Sequence, residues 1–205
     1  MATAWRSASA SSARAVRVAA VVLAVSLVAH AAPARADLQR LGGSLSIGGA
    51  KVFLKDQDTP AGSISFAAGV DYPIAARWRV GPEIGFHLLG TRNVEEGSFS
   101  ASIDYSTFEA TLLAHWLPTT LGPLHRVSVG PTVMSVRADV SAGAGGASFT
   151  ELAIEKVAPG VAGSLTLMPG GDALVKAGLE LGVRSGWLDS KHQWTVALVR
   201  LGVHF

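Results

Sequence analysis

The 205-residue chain contains no cysteine. That removes disulfide scaffolds, thiolate metal sites and cysteine nucleophiles. Charged residues are scarce at 16%, while 49% of the residues are hydrophobic. Disorder needs the opposite balance. Clustered Lys and Arg, the footprint of nucleic-acid binding, are missing, so no nucleic-acid partner is expected. Beyond residue 36 no run of 18 apolar residues occurs, so no spanning helix is expected there. Nor does any long segment repeat apolar residues at the i, i+3, i+4, i+7 spacing of an amphipathic helix. His-x-x-x-His pairs and acidic calcium-type loops are also lacking, so neither metal nor cofactor is expected.

What is present begins with a leader. Residues 1–36 carry Arg6, Arg14, Arg17 and Arg35 and no acid, with an apolar run from Val18 to Ala29. Ala34-Arg35-Ala36 supplies an Ala-x-Ala cleavage site, which predicts a signal peptide over 1–36 and a mature domain over 37–205. The apolar run is too short for a spanning helix. The sequence pI of about 9.2 owes much to this leader. Without its four arginines, 13 Lys and Arg (17 less 4) face 15 Asp and Glu.

The mature chain alternates. Ile64, Phe66, Ala68, Val70 and Tyr72 interleave with small or polar residues, as do Trp78, Val80, Pro82, Ile84, Phe86 and Leu88. The same holds for Val175, Ala177, Leu179, Leu181 and Val183. Period two is the signature of a strand with two unlike faces. Eight strands are predicted, at 41–54, 62–73, 76–90, 102–117, 125–140, 151–168, 173–187 and 193–205. Short Pro- or Gly-bearing turns alternate with longer polar loops at 55–61, 90–101, 142–150 and 186–192. A hairpin-sized repeat relates Val80-Gly81-Pro82 to Val129-Gly130-Pro131 and to Ala177-Gly178-Leu179. Pro82, Pro131 and Pro159 fall inside predicted strands, where a residue without an N–H weakens a ladder. A parity switch between Ile154 and Val157 suggests a bulge in the sixth strand.

Three features favour a membrane barrel over a soluble sandwich or a lipocalin-like barrel. The strands reach the length of about 9–11 residues that crosses a bilayer at a tilt. Tyr72, Trp78, Trp116, Trp187 and Trp194 stand at strand ends, where an aromatic belt would lie. Finally, Thr195, Ala197, Val199, Leu201, Val203 and Phe205 form one apolar face ending on the last residue. This pattern resembles the small bacterial outer-membrane barrels, the class of the OmpA membrane domain, OmpX and OmpW.

The resemblance implies an all-β fold, an eight-stranded antiparallel up-and-down transmembrane β-barrel in the outer membrane. Its expected role is structural or porin-like, without enzymatic activity. It also implies lipid as a partner, and an assembly machinery that reads the strand ending at Phe205. A monomer is expected.

Inward positions are assigned to Arg77, Arg79, Glu83, His87, Glu109, His115, Lys156, Lys176, Glu180, Arg184, Arg200 and His204. A barrel of eight strands is just wide enough for side chains to fill, so these charges are expected to pair. The alternatives are a narrow polar conduit, a lipid A-modifying enzyme, or a surface adhesin using the segments Thr91–Ala101 (with Glu95, Glu96 and Phe99) and Ser141–Thr150. Catalysis would need a His beside a Ser. His125-Arg126-Val127-Ser128 has the wrong spacing, and His192 with Asp189 and Ser190 is an ordinary polar loop composition. No catalytic residue is therefore assigned.

Overall fold

The computed structural model describes residues 41–54, 63–97, 99–118, 122–144, 147–169, 174–188 and 192–205. The predicted signal peptide and its cleavage site lie outside the described residues, as do Asp189 and Ser190. The strands are β1 (Gly42–Leu54), β2 (Ser63–Ala75), β3 (Trp78–Glu96), β4 (Phe99–Trp116), β5 (Leu124–Ala144), β6 (Ala147–Leu167), β7 (Lys176–Trp187) and β8 (Gln193–His204). Each pairs antiparallel with its sequence neighbours, and β8 returns to β1, so the sheet is a closed barrel. All eight predicted strands are present.

Closure turns the alternation of each strand into two surfaces. Outside stand Leu45, Ile47, Ile64, Phe66, Val161, Leu181, Val199 and Leu201, all exposed. Inside, Arg184 and Arg200 are fully buried, at 0% exposure, while Leu201 next to Arg200 is 66% exposed. A water-soluble protein has the reverse distribution. Hydrocarbon as the outer solvent accounts for both faces. It welcomes the exposed aliphatic residues, and it offers no partner to a free strand edge, so the sheet must close. Strands β7 and β8 have 12 residues each. At about 3.3 Å per residue and a tilt of about 40°, each rises about 30 Å, enough for the apolar band of about 25 Å.

The middle strands are longer than the sequence suggests. Strands β5 and β6 have 21 residues each. The segments expected as loops at 90–101 and 142–150 are therefore mostly hairpin strand. The β6–β7 ladder begins only at Gly160↔Gly186, and the β2–β3 ladder runs no further than Ser65↔His87 on that side. The outer parts of β3, β4, β5 and β6 thus project as a four-stranded sheet. Once a strand leaves hydrocarbon its apolar alternation is no longer required, which is why these residues read as loops. At Leu88/Thr91 the register shifts, and Gly90 sits there with φ 78°. Glycine tolerates this left-handed conformation in a bulge.

The three strand prolines find separate solutions. Pro82 adjoins a gap in the β2–β3 ladder, and Pro131 one in the β4–β5 ladder, neither with a shift of register. Pro159 stands one residue beyond the end of the β6–β7 ladder, at the free margin of β6, where a missing donor costs least. The expected bulge of β6 is displaced. Register is continuous past Ile154 and Val157 and shifts instead between Val140↔Leu152 and Ala142↔Phe149. The parity switch that suggested it falls just beyond the end of the β6–β7 ladder at Gly160.

Candidate functional site: the lumen

Residues far apart in sequence meet inside the barrel because the register places them there. Glu83 of β3, Glu109 of β4, and Glu180 and Arg184 of β7 converge with Arg200 of β8. Arg184 donates from Nη2 to Glu83 Oε1 at 2.7 Å and from Nε to Glu109 Oε1 at 3.1 Å. Arg200 Nη2 donates to Glu180 Oε1 at 2.7 Å and to Glu83 Oε1 at 3.0 Å. Glu83 therefore bridges the two guanidinium groups. All five side chains are buried, and such charges persist in a low-dielectric interior only when paired and hydrogen-bonded.

Beside this network lies a chain of neutral and acidic groups. His87 Nδ1 is 2.9 Å from Ser65 Oγ, and His87 Nε2 is 3.5 Å from Glu109 Oε2. A second pair, His115 Nδ1 and Ser128 Oγ, is 2.8 Å apart. Thr111 and Thr132 share a hydroxyl contact of 2.8 Å. Sequence reasoning missed both Ser–His pairs, because each joins two strands and register is not readable from one sequence. The Ser65–His87–Glu109 arrangement has the residue types of a hydrolase triad. All three side chains are fully buried, however.

Toward the long-hairpin end the lumen is filled by apolar side chains. Val52, Leu89, Met134, Val136, Ala158, Trp194, Val196 and Leu198 form one buried cluster. Trp194 overturns its sequence assignment. It is 2% exposed and packs in the lumen, with its ring centroid 6.0 Å from that of Tyr105. It shares the inward parity of Val196, Leu198 and Arg200, and that parity outweighs its position at a strand end. Trp78 and Trp187 do face outward.

At the short-turn end Asp71 is buried between two cations. Arg79 Nε bonds one carboxylate oxygen, and Arg126 Nη1 lies 3.0 Å from the other. Two further inward assignments need correction. Arg77 sits exposed in the β2–β3 turn, and Lys156 keeps the inward parity of its partner Val136 but is exposed, on the part of β6 beyond the β6–β7 ladder. On the projecting sheet Arg137 is bound by Asp139 at 2.8 Å, and this hydrogen bond raises the guanidinium pKa above its ordinary value. Thr91 and Asp104 bond across β3 and β4. No group of His, Asp and Glu side chains among the described residues is arranged to hold a metal ion. An open groove of about 660 Å³ on the lipid face, beside Leu45, Phe66, Phe86 and Leu201, is almost wholly apolar.

The closed ring, the inverted surfaces and the ion-paired lumen decide the architecture. The fold is that of the small outer-membrane barrels. Ail, the attachment invasion locus protein of Yersinia pestis, is similar at a TM-score of 0.52 with 16% identity, over 80% of this chain and 98% of Ail. Ail in complex with the heparin analogue sucrose octasulfate gives a TM-score of 0.54 with 14% identity, over 81% and 99% of the two chains. A major outer membrane protein from Thermus thermophilus gives 0.47 with 13% identity, over 80% and 98%. No protein-family model and no curated protein sequence matches the chain. With its apolar outer belt, the chain has the fold of an outer-membrane β-barrel.

Proposed function

We propose that the barrel is a closed, non-catalytic membrane anchor with a structural role, rather than a pore. The observation that carries this reading is the lumen. An apolar plug around Trp194, Leu89 and Met134 stands in series with the Glu83–Arg184–Arg200 network. Passage of a hydrated solute would have to desolvate it against the plug and separate buried ion pairs, each step costing several kcal/mol. Burial of Ser65, His87 and Glu109 supports the absence of catalysis. Lipid contacts the outer belt, and the strand ending at Phe205 is the segment offered to the assembly machinery. The barrel itself needs no second copy, since β1 and β8 leave no open edge. The test is conductance of the purified barrel in planar bilayers. The expected record has no discrete steps, whereas reproducible ohmic steps that vanish on heat denaturation would overturn the reading.

A second reading, attachment through the projecting sheet, is favoured by the length of β5 and β6 beyond the membrane. It does not extend to sulfated sugars of the kind bound by Ail. Described charges on this sheet are of both signs (Arg92, Glu95, Asp104, Arg137, Asp139, Glu155, Lys156), and Arg137 is already bound by Asp139.

A further inference from the structure

Among the described residues the short-turn mouth of the lumen carries more cationic groups than acids to balance them. The cations Arg79, Arg126 and Lys176 point inward there beside the imidazoles of His115 and His204, and Lys176 pairs directly opposite His204 in the β7–β8 ladder. The described acids nearby are Asp71 and Glu180. Asp71 is taken by Arg79 and Arg126, and Glu180 by Arg200. Lys176 forms no ion pair among the described residues. His125, in the register shift at Leu124/Arg126, lies within electrostatic reach of both Arg126 and Lys176.

Surplus charge alone would be a solvated rim. A second observation distinguishes this mouth. Arg126 is 8% exposed, yet its Nε is buried with no hydrogen-bond partner, and so is Nδ1 of His204. A buried guanidinium N–H without an acceptor is expensive, because it loses water and gains nothing. Asp71 fixes the guanidinium from one side and leaves that N–H for an acceptor on the other. Lys176, only half-buried, completes the arrangement as a flexible point charge. A planar, held Arg together with a mobile Lys suits a phosphate-type oxyanion.

We infer that the periplasmic mouth of the barrel binds a phosphate-class oxyanion, held by Arg126, Lys176 and His204, with Asp71 as the residue that positions Arg126. The anion is either soluble phosphate or a phosphomonoester entering from the periplasm, or the headgroup of an inner-leaflet phospholipid at the rim.

The experiment uses the folded barrel and two probes. Inorganic phosphate is titrated calorimetrically into the protein in zwitterionic detergent. Lipid retention is read by native mass spectrometry after reconstitution in mixed phosphatidylglycerol and phosphatidylcholine nanodiscs. The variants are Lys176→Gln, Arg126→Gln, and Arg137→Gln as a control at the opposite end. Arg126→Gln leaves Asp71 less well paired and can fail to fold, in which case Lys176→Gln carries the test. Removing one charge-assisted hydrogen bond should weaken binding about tenfold or more.

Phosphate binding weakened by Lys176→Gln and untouched by Arg137→Gln would support a soluble ligand. No phosphate binding, with preferential retention of phosphatidylglycerol that Lys176→Gln abolishes, would support a headgroup. No binding of either probe, or equal effects of Lys176→Gln and Arg137→Gln, would overturn the inference.

Discussion

Gly43 and Phe205 close the barrel by exchanging two backbone hydrogen bonds. Gly43 N donates to Phe205 O at 2.7 Å, and Phe205 N donates to Gly43 O at 3.0 Å. The Phe205 ring lies over Gly43, where an added Cβ would come within 2.4 Å of the ring edge. A ring can swing aside, so Gly43→Ala should lower stability by only about 1 kcal/mol, within the usual range for a point mutant. Gly48 faces a harder obstacle on the same seam. A Cβ there would stand 2.0 Å from the carbonyl oxygen of Val199 and 2.5 Å from the Arg200 Cα. Backbone cannot step aside without breaking the ladder. Gly48→Ala should therefore cost several times more, seen as a lower urea midpoint of the barrel in micelles and loss of the compact unheated band on a gel.

The bridging of Glu83 predicts an asymmetry in the lumen. Arg200→Met removes the nearer of two arginine partners of Glu180 and one of two partners of Glu83, leaving both buried carboxylates under-compensated. The expected cost is about 3–5 kcal/mol. Adding Glu180→Gln to that variant removes one of the stranded charges and should restore part of the loss. Equal stabilities of the single and double variants in urea unfolding would show that the two groups are not coupled.

Exposure has two meanings along these strands, and Val199 and Ile154 separate them. Val199 is 55% exposed within the β7–β8–β1 wall, and Ile154 is 46% exposed on the projecting part of β6. Val199→Lys should destabilise the barrel in lipid vesicles by about 2–4 kcal/mol if it lies near the midplane. Ile154→Lys meets water and should stay within about 0.5 kcal/mol of the parent. Similar losses at both sites would place the membrane boundary wrongly.

Gly178 refines a contrast that the alternation alone suggests, in which an inward lysine on β7 matters less to the membrane than an outward one. A Cβ at Gly178 would meet Met168 Cγ at 2.9 Å and the Leu167 carbonyl oxygen at 3.1 Å. Leu181→Lys should fail in lipid and Gly178→Lys in packing. Refolding in detergent tells them apart, with Leu181→Lys improving in the polar-headed micelle and Gly178→Lys unchanged by the environment.

Much of this fold is written in the period of the sequence. The sidedness of Ile64–Tyr72, Trp78–Leu88 and Thr195–Phe205 follows from alternation and is found as expected, because hydrocarbon outside and charge inside demand it at every step. Trp194 shows where residue type misled. The parity that puts Thr195 outside already puts Trp194 inside, and a preference of indole for the headgroup zone is weaker than the pleat. The lumen network was legible only as a set of inward charges. Which Glu meets which Arg depends on register, and Glu83 and Arg200, 117 positions apart, are joined by strand pairings that no local pattern encodes. The projecting hairpins were hidden for a different reason. In water a paired strand need not alternate.

The inverted barrel is tested most directly by its own tryptophans. Single-Trp variants retaining Trp78, Trp187 or Trp194 are placed in bilayers whose acyl chains carry bromine, a short-range quencher of indole fluorescence. The structure predicts strong quenching of Trp78 and Trp187, each with bromines near its own end of the chains, and almost none of Trp194. Quenching of Trp194 equal to that of Trp187 would contradict the assignment of inner and outer faces, and with it the packed lumen on which the functional reading rests.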